Sequence, residues 1–137
     1  MKWLEIEGKL PLTVITQLEK LYLKYTKLLK IKPEKMFLSL IDEIEMTKLN
    51  KRFFGLNKPT DVLSFEGCQE IIICLPVAKK QAKEYKHKFI DEISLLFVHG
   101  CLHVAGYDHN NQKKAKEMSD LQTKILGKLK SRTLEYN

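Results

Sequence analysis

Residues 91–105 read DEISLLFVHGCLHVA, and this stretch decides the fold. Its apolar side chains fall on nearly every side of a helical projection, so a helix here has no face to give to water and belongs at the centre of the molecule. Asp91 and Glu92 stand at its start, where negative charge complements the helix dipole. Gly106 follows at its end, where a residue in the left-handed conformation closes a helix.

The flanking sequence supplies layers to cover that helix. Just before it, Pro76 suits the first turn of a helix running to about Lys86. Further back, VLSF (62–65) and EIIICL (70–75) are β-rich runs joined by a tight link, which predicts adjacent strands. The loop GLNKPTD (55–61) precedes them, and residues 43–53 read as a short helix ending before Gly55. KMFLSLI (35–41) reads as a strand. Leu18, Leu21, Tyr22, Tyr25, Leu28 and Leu29 recur at helical spacing after Pro11, and Pro33 is the expected stop. Residues 2–7, KWLEIE, alternate as a half-exposed strand does. On the far side, Gln112 to about Lys130 forms an amphipathic helix with Ala115, Met118, Leu121, Ile125 and Leu129 on one face. The expected fold is α/β (α+β), one domain over residues 1–137, with a small mixed four-stranded sheet packed against a buried central helix.

Charge and cysteine usage narrow the setting. The net charge is +7, and of the 24 basic residues only Arg52 and Arg132 are arginines. Lysines cluster at Lys24 to Lys35, Lys79 to Lys88 and Lys113 to Lys116. Such a surface attracts polyanions by counterion release, although a lysine-rich coat that merely keeps the protein soluble has the same composition. Cys68, Cys74 and Cys101 are odd in number and form no C-x-x-C pair, which predicts reduced thiols rather than disulfides or a cysteine zinc site. No apolar run is long enough for a membrane span, and MKWLEIEGKL lacks the features of a secretory signal. A cytoplasmic protein is expected.

The chemistry concentrates in HGCLHVAGYDH, residues 99–109. His99 and His103 stand four apart on a helix, so both imidazoles leave one face, and both nitrogens can reach one ion at about 2.0–2.1 Å. After the stop at Gly106, a tight turn through Tyr107 and Asp108 can bring His109 to the same point. Three neutral nitrogens with water in the fourth position make an open, catalytic type of zinc site, in which the water on the ion ionises near pH 7 (about 7 in such sites). Nickel and copper also favour imidazole. The bland alternative is a pair of core histidines bonded to each other. Zinc proteases carry H-E-x-x-H, and here Gly100 stands where their glutamate activates the water, which argues against peptide hydrolysis. Gly100 lets a neighbour approach the helix closely, and Cys101 points away from the histidine face. Asp108 can orient a ligand histidine or serve only as a turn residue. His87, in the lysine-rich KEYKHKF, is expected to be a solvated surface residue.

HGCLHVAGYDH resembles the H-G-x-L-H-x-x-G-Y-D-H signature of the YbeY-type endoribonucleases, bacterial rRNA maturation factors. LNKRFFGLNKPTDVLSF (49–65) resembles that family's L-N-x-x-Y-R…P-T-D-V-L-S-F segment, and EIIIC (70–74) looks like its G-D-I-x-I strand. The resemblance covers essentially the whole chain. It implies a zincin-like arrangement with the ligands on the central helix, and a metal-dependent endoribonuclease specific for single strands. It further implies a role in 3′-end maturation of small-subunit ribosomal RNA and in ribosome quality control, with the small subunit and its proteins as partners and no DNA. His99, His103 and His109 match the metal ligands, and Val62 to Phe65 would border the cleft, with Ser64 and Asp61 near the substrate path. The sequence departs from the pattern at Phe54, where the family usually has an arginine thought to serve RNA handling or catalysis. Arg52 is the candidate replacement, and otherwise Lys51 or Lys58 would hold the phosphate as a point charge. Gln69 and Glu70 replace a Gly-Asp pair. Two other functions fit less of the sequence: a ribosome assembly factor with a mainly structural metal, and a metallohydrolase acting on another substrate.

Overall fold

A computed structural model of the chain describes residues 3–129. The expected strand start at Lys2 and helix end near Lys130, together with Arg132, lie outside the described residues. In chain order the elements are β1 (Leu4–Glu7), α1 (Leu12–Leu29), β2 (Met36–Ile41), α2 (Glu43–Phe54), β3 (Val62–Ser64), β4 (Glu70–Cys74), α3 (Leu75–Glu84), α4 (Phe89–Val104) and α5 (Gln112–Leu126).

The four strands form one mixed sheet in the order β1-β2-β4-β3. β1, β2 and β4 run parallel, with Leu4 opposite Met36 and Leu38 opposite Ile71. A parallel pair needs a long crossover, and α1 supplies it between β1 and β2. β3 and β4 are joined by a short link and pair antiparallel, Leu63 opposite Ile72. β3 therefore forms the sheet edge beside which the site is built.

α4 fills the centre, and Ile93, Leu95, Leu96, Phe97, Cys101 and Leu102 have no exposed surface. It packs against α1, α3, α5 and the β3–β4 half of the sheet. Gly100 permits the closest approach: a Cβ there would lie 2.9 Å from Ile71 Cγ2. Cys101 sits on the other side, near Tyr22 and Tyr25 of α1. Cys74 is also buried and Cys68 is exposed, all three as free thiols. No described helix is long and apolar enough to cross a membrane.

Local capping sets the ends of the elements. Asp42 caps α2 by accepting from the Glu45 N–H at 2.8 Å. Gly55 (φ 71°) closes it one residue later than expected, so that Phe54 is helical. α1 stops at Lys30 (φ 56°), before Pro33, because the Ile31 N–H turns back to the Thr26 carbonyl at 3.0 Å. α3 ends at Glu84, short of Lys86, which itself takes a left-handed φ of 54°. That turn overturns the expectation for His87. Its N–H bonds the Ala82 carbonyl, and its side chain is only 4% exposed, with Nε2 2.7 Å from Oε1 of the buried Glu92. A buried carboxylate demands polar company, and His87 is folded inward to provide it.

Candidate functional site

His99 and His103 leave α4 one turn apart, on the face turned towards β3. Their rings meet nearly edge to face, with centroids 4.6 Å apart and the two Nε2 atoms 3.0 Å apart. His99 is buried, and its Nδ1 lies 3.1 Å from Gln122 Oε1 on α5. An amide oxygen only accepts, so the His99 proton sits on Nδ1 and its lone pair is on Nε2. His103 bonds the backbone of Tyr107 in a way that favours a protonated nitrogen. The two Nε2 atoms stand at hydrogen-bond distance, so one ring can donate to the other, or both can turn lone pairs to a shared cation. Burial, and then the neighbouring His109, push the His103 pKa below the usual histidine value, against the opposing pull of Asp108 and the Tyr107 bond. Burial lowers that of His109 as well, opposed by Asp108. Both rings therefore favour the neutral, ligating form at pH 7.

The helix end delivers the third histidine. Gly106 takes φ +97°, its N–H bonds the His103 carbonyl, and the Tyr107 N–H bonds the Leu102 carbonyl. This double bond pattern reverses the chain within one turn. Asp108 then tightens the turn by accepting from the Asn110 N–H at 3.1 Å, and its other oxygen is 3.7 Å from Lys114 Nζ. Its carboxylate thus serves the turn and acts on the histidines through charge. The His109 ring lies 5.4 Å from that of His103, nearly perpendicular to it.

The donors suit a divalent ion in chemistry, and the His99–His103 pair suits it in reach. Two nitrogens on one tetrahedral ion at about 2.0–2.1 Å would stand about 3.3 Å apart. Among the described residues no set of three His, Cys, Asp or Glu side chains already converges on a common point. His109 has to turn towards the converging pair to complete a three-nitrogen set.

The histidines form one wall of a cleft of about 640 Å³, lined also by Asn50, Phe54, Leu56 and the run Thr60 to Glu66. Ser64 and Asp61 both line it. The Asp61 carboxylate caps its own loop, accepting from the Val62 N–H at 2.8 Å. Arg52, Lys51 and Lys58 are not among the lining residues. Arg52 is exposed, with its guanidinium 5.7 Å from the Phe53 ring centre. Lys58 contributes its carbonyl to the Asn50 Nδ2 amide at 2.8 Å, while its side chain faces outward. The sequence reading missed Asn50, Glu66 and Gln122. Gln122 carried a signal, since it falls one turn after Met118 on the apolar side of α5, where an amide must have a partner. Glu66 carried none.

Comparison with known proteins places the chain in a family. A family model described as endoribonuclease YbeY matches residues 6–130. The endoribonuclease YbeY of Acholeplasma laidlawii is 42% identical over 106 residues, covering 72% of this chain and 77% of the relative. That of Bacillus pumilus is 33% identical over 139 residues and covers 87% of each chain. The solution structure of TM1509 from Thermotoga maritima superposes with a TM-score of 0.58 at 28% identity, covering 90% of this chain and 89% of that one. On the match over residues 6–130 and these relatives, the chain belongs to the endoribonuclease YbeY family.

Proposed function

We propose that the chain is a single-domain, metal-dependent endoribonuclease that cleaves single-stranded RNA, with small-subunit ribosomal RNA and its 3′-end maturation as the physiological setting. The observation that carries the reading is the 3.0 Å approach of the His99 and His103 Nε2 atoms on the wall of an open cleft. Family membership and the basic surface support an RNA substrate. The small subunit and its proteins are the proposed partners, the cytoplasm is the proposed compartment, and no DNA or membrane partner is proposed.

In this reading His99, His103 and His109 hold one ion, zinc by preference and nickel or copper by the same ligand chemistry. When bound, the ion supplies Lewis-acid polarisation of a phosphoryl oxygen and a lowered pKa for water. Gln122 fixes the His99 tautomer so that Nε2 faces the cleft. Asp108 holds the turn that carries His109 and lends both neighbouring rings negative charge. Ser64 presents a hydroxyl from the β3 edge, and Asp61 keeps the strand entry in register. Lys51, Arg52 and Lys58, outside the lining, take up backbone phosphates flanking the reacting one.

The test is cleavage of a labelled single-stranded ribosomal RNA fragment by zinc-loaded protein, beside a chelated sample and His103→Ala. Cleavage lost in both controls is expected. RNA that is bound yet left intact by all three would instead favour an assembly factor with a structural metal.

A further inference from the structure

Phe53 and Phe54 end α2 with more than half of their surfaces in water, 51% and 55% exposed. Both pack on Phe65 at the end of β3. The Phe53 ring lies 5.1 Å from it at a tilt of 52°, and the Phe54 ring 6.3 Å away with planes only 10° apart. Phe54 and Phe65 line the same cleft as the three histidines. The rings are held rather than floppy. Gly55 reverses the chain directly after Phe54, its N–H bonding the Lys51 carbonyl at 2.9 Å, and Asn50 ties the following loop to α2 through the Lys58 carbonyl. An exposed aromatic on the cleft wall, packed on a second ring, marks a surface that meets a ligand. The ligand's charge is indicated by what surrounds them: Lys51 and Arg52 on the same helical turn, Lys58 on the loop, and Arg52 lying against the Phe53 ring. Aromatic faces bordered by cations are the chemistry that receives a base and its flanking phosphates in a single strand. A base inside a duplex has both faces covered by its neighbours and cannot lie on such a platform.

We propose that Phe54 and Phe65, backed by Phe53, stack one unpaired nucleobase beside the phosphodiester offered to the histidines, and so select single-stranded substrate. The proposal rests on the RNA reading above and adds the element that recognises the strand. Phe54 is a positioning residue and touches no reacting atom.

Binding of a fluorescent single-stranded oligoribonucleotide is measured by anisotropy with chelator present, so that no strand is cut. The same oligomer carrying abasic nucleotides serves as the matched-charge control. Phe54→Leu should weaken binding of the intact strand by about tenfold, the scale of one lost base stack, while Phe54→Trp restores it to within about twofold. The abasic strand should bind the native protein weakly and be indifferent to either substitution. Equal binding of intact and abasic strands by the native protein, or native-like binding by Phe54→Leu, would overturn the platform. So would self-association that Phe54→Leu abolishes while RNA binding is unchanged, since the rings would then cover a second copy. If the native protein cleaves RNA in the presence of zinc but shows any of these results, only the platform falls. If it neither cleaves nor binds RNA, the RNA reading falls with it.

Discussion

At the scale of single residues, Gln122 has the clearest consequence for the ion. Its amide oxygen, 3.1 Å from His99 Nδ1, decides which ring nitrogen keeps a lone pair. Gln122→Leu keeps the volume of the side chain and removes that control. Zinc affinity should fall by about 10–100-fold, as for other lost partners of a ligating histidine. Competition with a chelating dye measures it, and an unchanged affinity would mean that His99 is oriented by packing alone. Gly100 tests the packing behind the ligands. An Ala Cβ would stand 2.9 Å from Ile71 Cγ2, so Gly100→Ala should destabilise by about 1–3 kcal/mol, despite a gain of about 1 kcal/mol in helix propensity. Ile71→Ala is itself costly in this core, but with Ile71 truncated the added cost of Gly100→Ala should shrink, and strictly additive urea midpoints of the single and double variants would show that the clash is absent. The closeness of His99 and His103 was legible because a four-residue spacing on a helix is fixed by covalent geometry. Arg52 was not, because its direction depends on how the end of α2 meets β3. Packing sent the Phe54 ring, rather than the Arg52 cation, to the cleft wall.

At the scale of elements, the last turn of α4 links stability to chemistry. Gly106 holds φ +97°, so an alanine meets backbone strain there, while the exposed Glu66 carboxyl end, 2.7 Å from where a Cβ would be, can swing aside. Gly106→Ala should cost about 1–3 kcal/mol and weaken zinc binding, because the turn between His103 and His109 must open to relieve it. Calorimetry alongside dye competition reads both effects, and a loss of stability with full zinc affinity would show that His109 is positioned independently of the turn. Element order, the mixed sheet and the buried helix were all readable, since hydrophobic period and Gly or Pro stops are local signals. Where reading failed, tertiary partners had decided. Lys30 rather than Pro33 ends α1 through a bond from Ile31 to Thr26. His87, amid lysines, is drawn inward by a carboxylate on the next helix. The family resemblance supplied the function, and spacing alone supplied only a candidate ion site.

At the scale of the whole molecule, α4 lies between α1 and the sheet, and this seals titratable groups into the core. Burial raises the Cys101 thiol well above its ordinary 9.0, and raises the Tyr25 phenol far above its ordinary 10.0, with Cys101 as the next contributor there. Cys74 is pushed in the same direction, mainly by burial. In each case the folded pKa exceeds the unfolded one, so the unfolded chain loses protons first as pH rises. The stabilisation is complete below about pH 9, where thiols and phenols are protonated in both states, and is lost progressively above it. Net charge works the other way over the first part of this range. The chain carries +7 near neutrality and its isoelectric point is about 9.3, so self-repulsion fades as pH climbs towards that value. A fall in melting temperature that begins near pH 9 therefore points to the sealed groups and not to surface charge. Cys101→Ala should melt lower than the native protein at pH 7, because it leaves a cavity beside α1, yet lose less on going from pH 8 to pH 10. If the two proteins lose the same amount over that interval, the thiol is reached by water through motions of α1, and the centre of this fold is looser than its packing indicates.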